Sequence, residues 1–221
     1  MILLASKSSG RLSTLRAAGI EPLVTVSDVD EPAVLRELAC AHEAAGTPGP
    51  SPVEQVQELA RAKAVDVADR LTAAERAADP GLIVVGCDSM LEIDGAVVGK
   101  PGSAQAVRER WMAMRGREGI LHSGHFLVRA RDGQTAQGVS STIVHFGEPT
   151  PAEIDAYVTS GEPQWCAGAF TIDGLGGAFI DGIDGDPHGV VGISLPLLRT
   201  LLAGLGVTWT DLWADRPATT R

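Results

Sequence analysis

The residues of this 221-residue chain best suited to chemistry are three carboxylates, three cations and one serine-rich turn. They are Glu31, Asp88 and Asp173; Arg11, Lys63 and Lys100; and Ser6-Lys7-Ser8-Ser9-Gly10. Cationic side chains and the N–H groups of a helix start neutralise clustered phosphate oxygens. A divalent ion bridges such oxygens, and a carboxylate activates water. The inventory therefore suits hydrolysis of a phosphate ester or phosphoanhydride. Other hydrolytic arrangements lack their residues. There is no Gly-x-Ser-x-Gly nucleophile elbow, and the five histidines show no ligand-like spacing. His122 and His125 stand three apart in a predicted strand, which points them to opposite faces and argues against a metal pair. The run Gly168 to Gly177 leads into a strand, not into a helix carrying Lys-Ser/Thr, so it fails as a P-loop or dinucleotide fingerprint.

These groups need elements to position them. The β-branched run Ile83-Val84-Val85, bounded by Gly81 and Gly86, predicts a buried strand that delivers Asp88 where the apolar run stops. Asp94-Gly95 predicts a hairpin that returns the chain to Gly99-Lys100-Pro101. The serine turn lies between an opening strand, Ile2–Ala5, and a helix marked by Leu12, Leu15, Ala18 and Ile20. Its hydroxyls suit an N-cap, and the exposed N–H groups suit an anion. Residues Glu21 to Val26 predict a second strand. The acids Asp28, Asp30 and Glu31 before Pro32 suit either a helix beginning near Ala33 or a hard divalent cation. After a Gly/Pro-rich loop at 46–52, one long helix is expected from Val53 to Ala78. It carries Val56, Leu59, Ala60, Lys63 and Val67 on one face, with Lys63 snorkelling to solvent by default.

Further helices are expected at Ser103–Met114, Ala152–Ser160 (capped by Thr150) and Leu195–Leu205. A second hairpin is expected at Asp132-Gly133, and a strand at Ala178–Ile183. Trp209 and Trp213 are expected to pack down, and the last six residues are not. Strand-helix-strand-helix-helix followed by hairpins with interspersed helices predicts an α/β fold with a mixed central sheet flanked by helices. We expect one domain over residues 1–207 and a C-terminal extension over 208–221.

A hydrophobic fraction of 44% and a charged fraction of 21% are ordinary for a globular chain, and 4% aromatics implies a core of Val, Ile, Leu and Ala. The formal net charge of −10 argues against a nucleic-acid polymer as partner, although local cations in a pocket still allow a mononucleotide. Cys40, Cys87 and Cys166 are too dispersed for a disulfide framework or a zinc site. Met1 runs straight into strand-like sequence, without a signal-peptide or membrane-spanning pattern. A cytoplasmic protein is the expectation.

In order and spacing, the chain resembles the Maf family of nucleoside triphosphate pyrophosphatases. The carriers are Ala5-Ser6-Lys7-Ser8-Ser9-Gly10-Arg11, Asp28-Val29-Asp30-Glu31, Lys63-Ala64 and Gly86-Cys87-Asp88-Ser89. Downstream they are Gly99-Lys100-Pro101, Ser160-Gly161-Glu162-Pro163 and Ala167-Gly168-Ala169-Phe170. The resemblance spans about residues 2 to 205. It implies an anvil-like fold of two lobes with a cleft, often dimeric. It also implies cleavage between the α- and β-phosphates to a nucleoside monophosphate and pyrophosphate. By the same resemblance Asp88 is the general base on water. Arg11, Lys63 and Lys100 hold the triphosphate, with Ser6 and Ser8 in support, and Glu31 with Asp88 binds a divalent metal, expected to be magnesium. Ser9 and Gly10 replace the family's usual Pro and first Arg, which removes one phosphate-binding cation. The run Asp173-Gly174-Leu175-Gly176 is more similar to the branch acting on 7-methylguanosine triphosphate, where Asp173 would accept from a guanine edge. Two alternatives stand beside this one: a catalytically weak nucleotide-binding or division-linked regulator on the same scaffold, and a non-nucleotide phosphohydrolase.

Overall fold

The computed structural model describes residues 1–214. The order is β1 (Ile2–Leu4), α1 (Ser9–Ala17), β2 (Leu23–Val24), α2 (Glu31–Ala45), α3 (Pro52–Asp69), α4 (Ala73–Ala78), β3 (Ile83–Ile93) and β4 (Ala96–Val98). It continues with α5 (Ala104–Met114), β5 (Glu118–Arg129), β6 (Thr135–Phe146), α6 (Pro151–Thr159), β7 (Ile180–Asp184), α7 (Pro187–Val191) and α8 (Leu195–Gly204). The seven strands form one mixed sheet in the order β2-β1-β3-β5-β6-β7, with β4 hairpinned onto β3. β1 pairs in parallel with β2 and β3, and the remaining pairings are antiparallel. This is the mixed α/β architecture that the element order predicts. Among the described residues no helix is long and apolar enough to cross a membrane.

Period-two alternation makes the two faces of the sheet. Ile2, Leu4, Ile83, Val85, Cys87 and Leu127 pack on one side with Leu15 of α1 and Leu198 and Leu202 of α8. Leu3, Val84, Phe126 and Val128 face the other way, onto Ala60, Ala64 and Val67 of α3. A third cluster sits at the far ends of the long strands, where Leu91, Leu121 and Phe146 meet Trp111 of α5 and Tyr157 of α6. β3, β5 and β6 thus run through two separately packed lobes.

Several boundaries differ from the sequence expectation. β3 does not stop at Asp88 but continues to Ile93, because its downstream half pairs with both β4 and β5. The second strand shrinks to Leu23–Val24 at the sheet edge, both exposed. The long helix breaks after Asp69. Thr72 and Glu75 form a capping box that starts α4 afresh, a local signal that the alanine-rich run conceals. Trp209 packs on the first cluster, whereas Trp213 is exposed. The last six residues lie outside the described part of the chain.

Two glycines decide how close α3 comes to the sheet. Gly124 lies directly opposite Asp88, and Gly86 is two residues before it, so all three share one face. A Cβ at Gly86 would stand 2.2 Å from the Ala60 carbonyl oxygen and 2.7 Å from the Ala64 nitrogen. At Gly124 it would stand 2.4 Å from the Val56 carbonyl oxygen. The helix backbone therefore rests on the strand backbone. On the opposite face His125 is fully buried, and its Nε2 accepts the Ser194 N–H at 2.9 Å while Nδ1–H donates to the Ser123 carbonyl.

Two outcomes follow. Gly86→Ala must lift α3 off the sheet, and urea unfolding should show a loss of about 2–3 kcal/mol. Burial pushes His125 down to about 4, whereas an unfolded histidine titrates near 6.5. Between those values the unfolded chain holds the extra proton, so stability should fall as pH falls from about 6.5 and level off below about 4. Urea midpoints measured across that range should decline for the wild type and flatten for His125→Gln.

Candidate active site

Lys63 does not snorkel outward. It is 9% exposed, and its Nζ donates to Asp88 Oδ1 at 2.6 Å and lies 2.7 Å from Glu31 Oε1. The close seating of α3 makes this possible, since Lys63 adjoins Ala64, the residue that touches Gly86. Asp88 is 8% exposed. At Glu31 burial opposes ionisation. The adjacent Lys63, with Lys100 and Arg11 further off, outweighs it and holds the carboxyl below its usual range. The acidic cluster before α2 divides its work. Asp30 is the N-cap, accepting from the Ala33 N–H, and Asp28 pairs with Arg70 at the surface. Only Glu31 of the three turns to Lys63.

The serine turn likewise divides. Ser8 is the N-cap of α1, its Oγ accepting from the Arg11 N–H. Ser6 Oγ accepts from the Ser8 N–H and from Arg11 Nη1, both at 3.1 Å. Arg11 also donates through Nε to the Gly192 carbonyl at 2.8 Å and through Nη2 to Ser89 Oγ at 3.0 Å. Ser123 gives its proton to the Gly189 carbonyl, so Ser89 must be the donor in the 2.7 Å contact between the two hydroxyls. Every acceptor around this guanidinium is neutral. Arg11 is held in place without a carboxylate paired to it among the described residues. At Gly10, a Cβ would meet Val191 Cγ1 at 3.1 Å. α7 therefore packs closely where a longer side chain at that position would begin.

These residues line one cleft of about 740 Å³. Ser6, Ser8, Arg11, Glu31, Lys63, Asp88, Lys100 and Asp173 all border it. Lys100 is exposed and makes no ion pair among the described residues. Lys7, Arg11, Lys63 and Lys100 oppose Glu31, Asp88 and Asp173 along the lining, so the cleft carries a positive balance in a chain of net charge −10. Cleft walls of low dielectric focus such a field on an incoming anion.

Lys7, Ser89 and Glu162 lie in the quoted motifs but are given no role there, and no pattern in the sequence singles out Ser123. Glu162 accepts from the Tyr157 hydroxyl, the Thr171 hydroxyl, and the N–H groups of Leu175 and Gly176. Burial opposes its ionisation, yet these donors prevail and keep the carboxyl below its usual range. One side chain thereby ties down the loop that carries Asp173. Neither Cys87 nor Cys166 is a ready nucleophile: burial pushes Cys87 up to about 11, and raises Cys166 at the cleft wall.

The family described as Maf-like protein matches the chain over residues 1–205. A relative from Mycobacterium sp. (strain JLS) is 50% identical over 216 residues, covering 96% of this chain and 97% of its own. Another, from Saccharopolyspora erythraea, is 52% identical over 214 residues, covering 95% of each. A third, from Nocardia farcinica, is 51% identical over 215 residues, covering 96% of each. All three carry the name nucleoside triphosphate pyrophosphatase.

The buried charge cluster makes a sharp stability contrast. Lys63→Met strands Asp88 without its cation and should cost about 3–5 kcal/mol in urea unfolding at neutral pH. Asp28→Asn, which removes only an exposed pair with Arg70, should cost less than about 1 kcal/mol.

Proposed function

The chain belongs to the Maf-like family, and from that premise we propose that it is a nucleoside triphosphate pyrophosphatase, a hydrolase that yields a nucleoside monophosphate and pyrophosphate. The observation that carries the proposal is one cleft in which Asp88, Glu31 and Lys63 meet, lined also by Arg11 and Lys100, neither of which has a carboxylate partner among the described residues. A triphosphate brings several negative charges, and those cations supply the matching field. Lys100 and Arg11 hold the phosphates, and Ser6 keeps the guanidinium aimed.

Asp88 is the general base. Its Oδ1 is committed to Lys63, while Oδ2 receives no hydrogen bond among the described residues and is left to take a proton from water. Lys63 keeps the carboxylate in place during that transfer and offsets the charge gathering at the attacked phosphorus.

The carboxylates of Glu31 and Asp88 converge on one ammonium at 2.7 and 2.6 Å, so both already face a shared positive charge. Among the described residues no three His, Cys, Asp or Glu side chains gather to hold a metal, and this cleft brings together two. Two carboxylates suit magnesium, which commonly takes one or two protein carboxylates and completes its shell with water and phosphate. Glu31 and Asp88 would hold it. When bound, it would supply charge neutralisation across the phosphate oxygens.

Asp173, exposed at the cleft, suits the donor edge of a guanine, and this supports a 7-methylguanosine-like substrate. The free state of all three cysteines suits a cytoplasmic setting. A homodimer and a domain ending near residue 207 rest on the family resemblance.

With magnesium present, the wild type should release pyrophosphate, and Asp88→Asn should lose about 100- to 10,000-fold in kcat while still binding nucleotide. Binding without metal-dependent turnover in the wild type would favour the regulator, and orthophosphate as sole product the other phosphohydrolase. In the same assay a guanine or 7-methylguanine triphosphate should lead. Thymidine or uridine triphosphate far ahead of both would overturn the base assignment.

A further inference from the structure

Trp165 is 68% exposed, yet it lines the cleft that also holds Asp88 and Lys100. A large indole left in water beside a polyphosphate site is unusual, since a tryptophan is normally buried over most of its surface. Its setting is built. The 3-10 turn Glu162–Trp165 begins at Glu162, whose carboxylate gathers the four donors of the Asp173 loop. Just beyond Trp165, Gly168 and Ala169 both adopt left-handed backbone, with φ of 73° and 64°. For Ala169 that conformation is strained by its Cβ, and the Trp111 Nε1–H bond to the Ala169 carbonyl at 2.8 Å holds it. Trp165 and Asp173 therefore stand on one wall segment whose ends are both pinned.

The cleft also has more room and a different chemistry than phosphates alone require. Its volume of about 740 Å³ falls in the range of pockets that enclose a whole drug-sized ligand. Trp165, Ile172, Val97 and Val98 add apolar lining, and none of them takes part in the Arg11 hydrogen bonds. An aromatic face in such a place accepts a nucleobase by stacking, and every base has a π-face.

Resting on the pyrophosphatase assignment above, we infer that Trp165 is the stacking platform for the substrate's base. Together with Asp173 it forms a subsite that favours a purine carrying positive charge. An indole face attracts a cationic ring more strongly than a neutral one. The Asp173 carboxylate adds a negative charge and an acceptor at the ring edge. A ring methylated at N7 has both the charge and the donors. Trp165 here acts on binding and selectivity, and the water-activating cluster of Asp88, Glu31 and Lys63 is not in hydrogen-bond contact with it.

Calorimetry and steady-state kinetics on the full chain test this together, comparing wild type with Trp165→Ala and Trp165→Phe. Binding is measured to guanosine triphosphate, 7-methylguanosine triphosphate and inorganic tripolyphosphate. Trp165→Ala should weaken both nucleotides roughly 5- to 100-fold, the methylated one more, and leave tripolyphosphate within about twofold. The loss should appear in KM more than in kcat, and Trp165→Phe should recover most of it. Equal weakening of tripolyphosphate, or unchanged nucleotide affinity with an altered oligomeric state, would overturn the stacking role. A larger loss for the unmethylated nucleotide would overturn the preference for a charged ring. The binding arm needs no turnover. A wild type that binds nucleotide through Trp165 without releasing pyrophosphate would defeat the reaction assignment and leave the platform standing.

Discussion

Backbone-to-backbone contact between α3 and the central strands is the constraint on which the rest depends. Gly86 and Gly124 present no side chain to that helix, and carbonyl oxygens of Ala60 and Val56 occupy the space where a Cβ would stand. Only with the helix this close does Lys63 reach Asp88 in the middle of a strand and draw Glu31 in from the start of α2. Burying ions is expensive, several kcal/mol for each even after relaxation, and their attraction repays it only with good geometry. Such a cluster is a poor source of net stability. What it achieves is placement: two carboxylates and an ammonium held within hydrogen-bond distance at the floor of a cleft.

Charge is organised differently on the two sides of that floor. Lys63 is neutralised by its partners, whereas Arg11 is fixed by a carbonyl and hydroxyls that leave its charge intact. Neutral acceptors orient a guanidinium without cancelling it, which suits a group meant for an anion that arrives later. The acidic bulk of the chain does not prevent this. Exposed charges beyond a Debye length of about 8 Å are largely screened at physiological salt, while cations along the cleft act at short range.

The cleft wall opposite is a loop segment without long regular structure, and its rigidity comes from specific bonds. Glu162 ties residues 171–176 to α6, and Trp111 ties Ala169 to α5. Trp111 itself stacks edge-on with Phe146, Tyr157 and Phe179, so the aromatic core of the second lobe also anchors the wall. A chain poor in aromatics has concentrated them where a loop must hold its shape.

Much of this was written locally in the sequence. Unbroken apolar runs marked β1 and β3 as buried strands, Asp94-Gly95 and Asp132-Gly133 marked hairpins, and Ser8, Asp30, Ser103 and Thr150 start helices as N-caps. The site residues also stood out by type, because cations, acids and a serine turn at strand and helix starts suit phosphate chemistry. The direction of Lys63 was not written there. On an amphipathic helix an ammonium turns to water unless something charged waits beneath it, and Asp88 lies 25 residues away. Nor did local pattern reveal Glu162 as the anchor of the Asp173 loop, or Trp165 as an exposed indole in the cleft that Lys100 also lines. Short-range periodicity and turn chemistry determine elements. Which side chains end up sharing one cleft depends on how closely those elements pack, and here two missing side chains in the tertiary structure decided it.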